Sequence, residues 1–286
     1  MINLFKINSL LFIPAIKERF YRKILTLKGN KKPDGIIFDL EDSVHPKFKH
    51  KARKVLLKFF EARQNKKIFE EYIILVRINP ITSPFFKEDL KLIMKIKPHI
   101  LMTSKVETAS ELKIYKKIYK QLFVVVETLK GIFNLKSILR ETRKTDLFAI
   151  GYEDLSSELL IERPENLKDT NPLNFVLMYS IILSRYFGIP MIDAVSRYFK
   201  KTDLMKLKKE CEYTAKLGLI GKVAIHPNQI PIINSIFKRR KDEIKKIASK
   251  IIKKFANITD GSFVIVDKGM MDTPSYKLYI NLLKML

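Results

Sequence analysis

Polar and charged residues stand where short apolar runs end, repeatedly along this chain. Phe-Val-Val-Val runs into Glu127, and Phe-Ala-Ile-Gly is followed by Tyr152, Glu153 and Asp154. Asp39, Glu41 and Asp42 close another such run, Arg77 and Asn79 a third, Ser104, Lys105 and Glu107 a fourth, and His226-Pro227 the last. Chance places one or two charges in such positions. Their recurrence after five or six successive runs indicates a built site.

Each residue type suggests a chemistry. Glu127 and Asp154, emerging from apolar runs with no soft ligand nearby, suit a hard, oxygen-preferring cation such as Mg²⁺. Capping the following helix or pairing with a lysine is the plainer role, and metal ligation is favoured over it. Arg77 lies in a run too apolar for a surface charge, so it needs an anionic partner. A substrate carboxylate gripped by the guanidinium fork is one, and an acid of the run ending at Asp39 is the other. Asp39, Glu41 and Asp42 would then support the metal or Arg77. Lys105 offers either a Schiff-base amine or an electrostatic contact, and the neighbouring carboxylate pair favours the second. His226 divides evenly between a structural and a catalytic role. Cys211, between Glu210 and Glu212 in a helical stretch, reads as inert.

These side chains must be carried by short buried strands. Candidates are 10–15, 35–41, 72–79, 99–106, 122–127, 147–153, 189–195 and 222–226, rich in Val, Ile and Phe as parallel strands covered on both faces are. Helical periodicity fills the intervals, as at 48–63, 85–96, 109–119, 173–187 and 203–217, with Gly188 and Gly218 closing two helices. Eight alternations over about 240 residues fit an α/β fold of the (β/α)8 TIM-barrel type, whose sites lie at the C-terminal strand ends. An open doubly wound sheet would usually show a glycine-rich phosphate turn, and no such motif occurs. The expected organisation is a barrel over residues 1–240 and a C-terminal extension over 241–286. The extension reads as a helix at 239–256, an extended piece at 261–267 and a helix after Pro274, serving as a helical lid, an oligomer contact or both.

Composition narrows the class. The 286 residues include 55 Lys and Arg against 30 Asp and Glu, a net charge of +25, and 47% are hydrophobic, enough for a sizeable core. One cysteine excludes a disulfide framework, and four histidines without an H-x-x-x-H pair argue against a multi-histidine zinc centre. No apolar run is long enough for a membrane span, and the opening residues read as a strand rather than a signal peptide, so a cytoplasmic protein is expected. The basic residues spread over helical stretches as solvated faces do, which favours a lysine-rich surface over a nucleic-acid site. Such a surface would also attract a polyanion such as coenzyme A.

Ten strings in order carry a resemblance. They include SLLFIP at 9–14, DGIIFDLEDSV at 34–44, KHKAR at 49–53, VRIN at 76–79 and SKVE at 104–107. VVETLKG at 125–131, AIGYEDL at 149–155, IDAV at 192–195, GKVAIHPNQ at 221–229 and MMDTP at 270–274 complete the set. Together they resemble the citrate lyase β-subunit group of the metal-dependent HpcH/HpaI aldolases. The resemblance implies a barrel with a C-terminal lid, trimers or multiples of them, and a Mg²⁺-dependent carbon–carbon lyase. Its substrate would be a β-hydroxyacyl thioester (citryl, malyl or citramalyl), carried on coenzyme A or on an acyl carrier protein as in a citrate lyase complex. Glu127 and Asp154 would hold Mg²⁺, Glu127 and Arg77 would face the keto-acid part, and Lys49 falls in a matching string without an assigned role. Asp272 would serve as a catalytic group in a neighbouring subunit, its plainer role being an N-cap before Pro274. Thioester hydrolysis is a close variant.

Three positions depart from the pattern. Asn8 stands where the group usually has Arg, Ala15 where it commonly has Gly, and an Ala-Arg pair is missing from 174–180. With the high positive charge, the missing arginine at position 8 motivates a second reading: a catalytically weakened member acting as a non-enzymatic subunit or anion-binding protein.

Overall fold

The computed structural model describes residues 2–62, 65, 67–165, 168–256, 263–266 and 269–285. Seven parallel strands alternate with helices. They are β1 (Ser9–Pro14), β2 (Gly35–Asp39), β3 (Ile73–Arg77), β4 (Ile100–Met102), β5 (Leu122–Val126), β6 (Leu147–Ile150) and β7 (Lys222–Ala224), in the order β6-β5-β4-β3-β2-β1-β7. The intervening helices are α1 (Glu18–Leu25), α2 (Lys49–Glu61), α3 (Ile68–Glu71), α4 (Phe86–Ile96), α5 (Ala109–Ile118), α6 (Leu129–Phe133), α7 (Leu135–Glu141), α8 (Tyr152–Glu158), α9 (Pro172–Phe187) and α10 (Leu204–Lys216).

The sheet curls into a parallel half-barrel whose edges are joined by residues 190–193. On one side Phe148 N–H donates to Pro190 O and Ile192 N–H to Phe148 O. On the other, Ile220 N–H donates to Met191 O, Asp193 N–H to Gly221 O, and Val223 N–H to Asp193 O. The strand expected at 189–195 therefore does not form. The segment makes only isolated bridges, Met191 to Phe148 and Asp193 to Lys222. Pro190 supplies no ladder N–H, which keeps this stretch from acting as a regular strand. β1 keeps its expected length, shifted by one residue, and β2 to β7 are shorter than their apolar runs, because the residues at their ends leave the ladder.

Strand side chains alternate between two apolar layers. Leu10, Ile37, Leu75, Ile100, Phe123, Leu147 and Val223 pack together inside the curl. Leu11, Ile36, Val76, Leu101, Val124 and Phe148 face the helices. Two residues beyond an inner apolar residue the chain reaches Asp39 from Ile37, Arg77 from Leu75 and Glu127 from Val125. The period of two thus aims these three side chains into the same interior, one layer above the apolar floor.

Helices end where sequence and geometry agree. Thr108 forms a capping box with Glu111 at α5, and Gly188 ends α9 with φ 71°. Beyond β7, α11 runs unbroken from Ile230 to Ala256, nine residues earlier than expected and across residue 240. Pro231 lies in its first turn, where no intrahelical donor is needed, so it opens the helix instead of breaking it. An antiparallel hairpin of β8 (Phe263–Val266) and β9 (Gly269–Asp272) leads into α12 (Thr273–Met285). Ile251 of α11 anchors Met271, Tyr276 and Tyr279 of this extension. Residues 63, 261, 262, 267 and 286 of the expected elements lie outside the described residues.

Candidate active site

A cavity of about 410 Å³ opens at the C-terminal ends of the strands. Its apolar wall includes Phe12, Met102, Phe123, Val125 and Val223, and its polar rim Asp39, Asp42, Arg77, Glu127, Glu153 and Asp154. Five of the residues singled out in the sequence, Asp39, Asp42, Arg77, Glu127 and Asp154, thus line one space.

Arg77 stands opposite Asp39 in the β2–β3 register. Its Nε donates to Asp39 Oδ1 and its Nη2 to Asp39 Oδ2, both at 2.7 Å. Its Nη1 lies 3.1 Å from Glu41 Oε2 and 3.2 Å from Asp42 Oδ2. The guanidinium carbon is 4.8 Å from the centre of the Phe12 ring. The fork is therefore taken by the β2 acids, the second of the two partners considered above. Burial works to raise the Asp39 pKa, but Arg77 outweighs it and holds the carboxyl below its usual range.

Glu127 is buried at the end of β5. Burial, with Asp154 and Glu41 adding to it, pushes its pKa up to about 7 against the opposing pull of Arg77 and Lys105. Its Oε1 accepts the Lys105 backbone N–H at 3.0 Å. Gly151 makes room for it: a Cβ there would stand 2.5 Å from Glu127 Oε2 and 2.6 Å from its Cβ. Asp154 follows in the first turn of α8. Its Oδ2 is buried and accepts no aligned hydrogen bond, although the Lys105 ammonium lies 3.1 Å away.

Lys105 has φ 47°, a left-handed conformation uncommon for lysine. Its Nζ donates to Glu41 Oε1 at 2.7 Å and Asp42 Oδ1 at 3.3 Å. Burial disfavours the ammonium, but Glu41, Glu127 and Asp42 outweigh it and raise its pKa. That charge state suits an electrostatic contact and not an amine nucleophile. Lys49 lies buried beneath the same loop, donating to Leu40 O, Glu41 O and Asn79 Oδ1 at 2.7–2.8 Å, so it fixes the loop that presents the acids.

Glu41, Lys49 and Lys105 lie behind the cavity lining, and two further candidates, His226 and Asp272, lie apart from this cluster. His226 caps a short turn, its Nδ1 accepting from Asn228 N, with its ring tilted against Phe199. Asp272 is exposed at the end of β9 and accepts from Ser275 N and Oγ, as an N-cap does. Asn8 sits at the opposite end of β1, in a separate cleft lined also by Lys6, Asp34 and Lys241.

Sequence reasoning missed a buried network behind the rim. Lys222 Nζ donates to Asp193 Oδ2 at 2.6 Å and to Glu210 Oε1 at 2.9 Å, and Tyr152 Oη donates to Asp193 Oδ1 at 3.0 Å. It ties the bridging segment to β7 and fixes Tyr152, two residues before Asp154. A lysine inside the apolar string GKVAI, paired with the aspartate of IDAV, was the available signal.

Five carboxyl groups (Asp39, Glu41, Asp42, Glu127 and Asp154) thus meet three cationic side chains (Lys49, Arg77 and Lys105), a local excess of two acidic groups in a chain of +25. The family model of HpcH/HpaI aldolase/citrate lyase matches residues 8–227. The chain belongs to this family. It is a family of carbon–carbon lyases. A (3S)-malyl-CoA thioesterase of Cereibacter sphaeroides is 31% identical over 241 residues, covering 83% of this chain and 79% of its own. The mitochondrial citramalyl-CoA lyase of Mus musculus is 27% identical, covering 94% and 83%. The crystal structure of the protein CitE from Mycobacterium tuberculosis, in complex with magnesium, acetoacetate and coenzyme A, shares the fold with a TM-score of 0.76. It is 22% identical and covers 99% of both chains.

The donor set, carboxylate oxygens without a soft ligand, is of the kind that suits a magnesium ion. Among the described residues no group of three or more His, Cys, Asp or Glu is arranged to hold a metal. Two carboxylates with the remaining positions left to water and substrate are nevertheless a usual arrangement for Mg²⁺. The unaligned Asp154 oxygen and the excess of acidic groups favour the ion. Among the described residues no helix is long and apolar enough to cross a membrane.

Proposed function

We propose that this protein is a Mg²⁺-dependent lyase that cleaves or forms the carbon–carbon bond of a short β-hydroxyacyl-CoA, of the malyl or citramalyl type. The observation that carries the reading is the buried Glu127 beside the unaligned Asp154 oxygen, in a cavity whose acidic groups outnumber its cations. A keto acid is itself an anion, so such a rim accepts it only with a divalent cation present. Glu127 and Asp154 would hold the ion. When bound, Mg²⁺ supplies Lewis acidity at the keto-acid oxygen.

The chain's own residues then position and shield. Arg77, its fork held by Asp39 and its Nη1 by Glu41 and Asp42, would act on the oxygen that becomes the ketone through its positive field rather than through a free donor edge. Phe12, Met102, Phe123 and Val125 exclude water from the breaking bond. Residues 1–240 would form the catalytic barrel, while 241–286 act as lid and oligomer contact. Asp272, outside its own chain's cavity lining, would deliver a proton to the α-carbon of the acetyl-thioester enolate in a neighbouring subunit's site, in a homotrimer or a multiple of one. Coenzyme A is favoured as carrier over an acyl carrier protein, because the first curated relatives named act on CoA thioesters. A cytoplasmic setting accompanies this reading. The weakened-member alternative drew on Asn8, which lies at the far end of β1 from the cavity.

The test is keto-acid release from citryl-, malyl- and citramalyl-CoA, with and without Mg²⁺. Metal-dependent release of oxaloacetate, glyoxylate or pyruvate, lost in Glu127→Ala, supports the lyase and identifies its substrate. Release of free CoA without acetyl-CoA indicates the thioesterase variant. Folded protein inactive on all three overturns the CoA reading.

A further inference from the structure

The excess of acidic groups accounts for a cation, yet a lysine already reaches into the position where one would bind. Among the described residues, Lys105 is the one whose ammonium contacts both the β2 acids and Asp154: 2.7 Å to Glu41, 3.3 Å to Asp42 and 3.1 Å to Asp154. It arrives there through an uncommon left-handed backbone, φ 47°, which also turns its N–H onto Glu127 at 3.0 Å. One residue therefore touches both carboxylates of the candidate metal pair, one through its backbone and the other through its side chain. The Asp154 contact is an ion pair without an aligned hydrogen bond. Its contacts to Glu41 and Asp42 are aligned hydrogen bonds, so the Asp154 contact is the one it can give up without breaking one.

We propose that Lys105 is the internal counter-ion of the metal-free site. Its ammonium holds Asp154 near the β2 acids until a divalent cation takes Asp154 and displaces it, while its backbone N–H keeps Glu127 in place throughout. The inference rests on the reading that Glu127 and Asp154 hold the metal. It assigns Lys105 two separable effects: lower metal affinity through competition, and cohesion of the empty site. The displaced ammonium stays paired with Glu41 and Asp42, so its movement is a short swing and leaves no charge buried alone.

The test is calorimetric titration of MgCl₂ into the full chain without substrate, combined with thermal melts. Variants are Lys105→Met, Lys105→Asn and Asp154→Asn. Asparagine tolerates the left-handed backbone, so Lys105→Asn keeps the test open where Lys105→Met does not fold. Loss of the ammonium is expected to tighten Mg²⁺ binding by roughly tenfold, equivalent to about 1.4 kcal/mol. It should also lower the melting temperature of the metal-free protein and enlarge the rise on adding metal. Unchanged or weaker Mg²⁺ binding in both lysine variants, with binding still lost in Asp154→Asn, overturns the counter-ion role and leaves the metal site standing. Absence of Mg²⁺ binding in the wild type overturns both.

Discussion

Arg77 and Asp39 face each other across β2 and β3 in direct register and share two 2.7 Å hydrogen bonds. The pair sits one layer above the apolar floor, with Asp39 almost wholly buried and Arg77 nearly so. Removing the guanidinium strands a buried carboxylate that also accepts from the backbone of Glu41 and Ser43. Arg77→Met is therefore expected to destabilise the fold by about 3–5 kcal/mol, the range for breaking a buried pair on one side. Urea denaturation measures it. A loss within experimental error would show that Asp39 finds another partner.

Gly151 should tolerate no side chain. The added Cβ of Gly151→Ala would stand 2.6 Å from the Glu127 Cβ, which rotation of the carboxylate alone does not relieve. Displacement of a metal-binding carboxylate by about 1 Å typically costs on the order of a hundredfold in turnover. The expected result is an intact circular-dichroism spectrum with weakened Mg²⁺ binding and turnover. Wild-type kinetics in this variant would remove Glu127 from the site.

Glu127→Gln separates stability from function. Burial makes the charged carboxylate unfavourable, raising its pKa to about 7. A neutral amide of the same shape still accepts the Lys105 N–H. In metal-free protein at pH 8 the variant should melt higher than wild type, and it should bind Mg²⁺ poorly. A lower melting point would mean that the charge contributes to the fold through Arg77 and Lys105.

Lys241 supplies a pH dependence remote from the cavity. Burial lowers its pKa from 10.5 to about 8, with Asp34 opposing and Lys245 assisting. Between those values the unfolded chain binds more protons than the folded one, so this group makes stability rise with pH. Its Nζ donates to Ile7 O and Asn8 Oδ1, linking α11 to the start of β1. Urea midpoints of wild type and Lys241→Met, measured from pH 8 to 10.5, should diverge in favour of wild type as pH rises. Parallel curves would show that Lys241 keeps its proton in the fold.

The apolar runs and the polar residues that end them determined much of this protein by themselves. Buried strands of Val, Ile and Phe can only be covered on both faces, and a period of two then aims Asp39, Arg77 and Glu127 inward whatever the helices do. The alternation of such runs with amphipathic stretches sufficed to place β1 to β7, and most helix limits fell within a residue or two. Tertiary structure decided the rest, because it depends on partners distant in sequence. Pro190 and the Lys222–Asp193 pair turned an apolar run into a bridge between sheet edges. The Arg77 fork went to Asp39, a choice that only the β2–β3 register fixes. Lys105 received its role from a backbone rotation, φ 47°, that no spacing of residues announces. Asp272 shows the same division: its string was legible, but whether it meets an active site depends on where another subunit stands. Local patterns determine which face a residue occupies, whereas ion pairs and backbone rotations are selected by the complete set of neighbours that burial brings together.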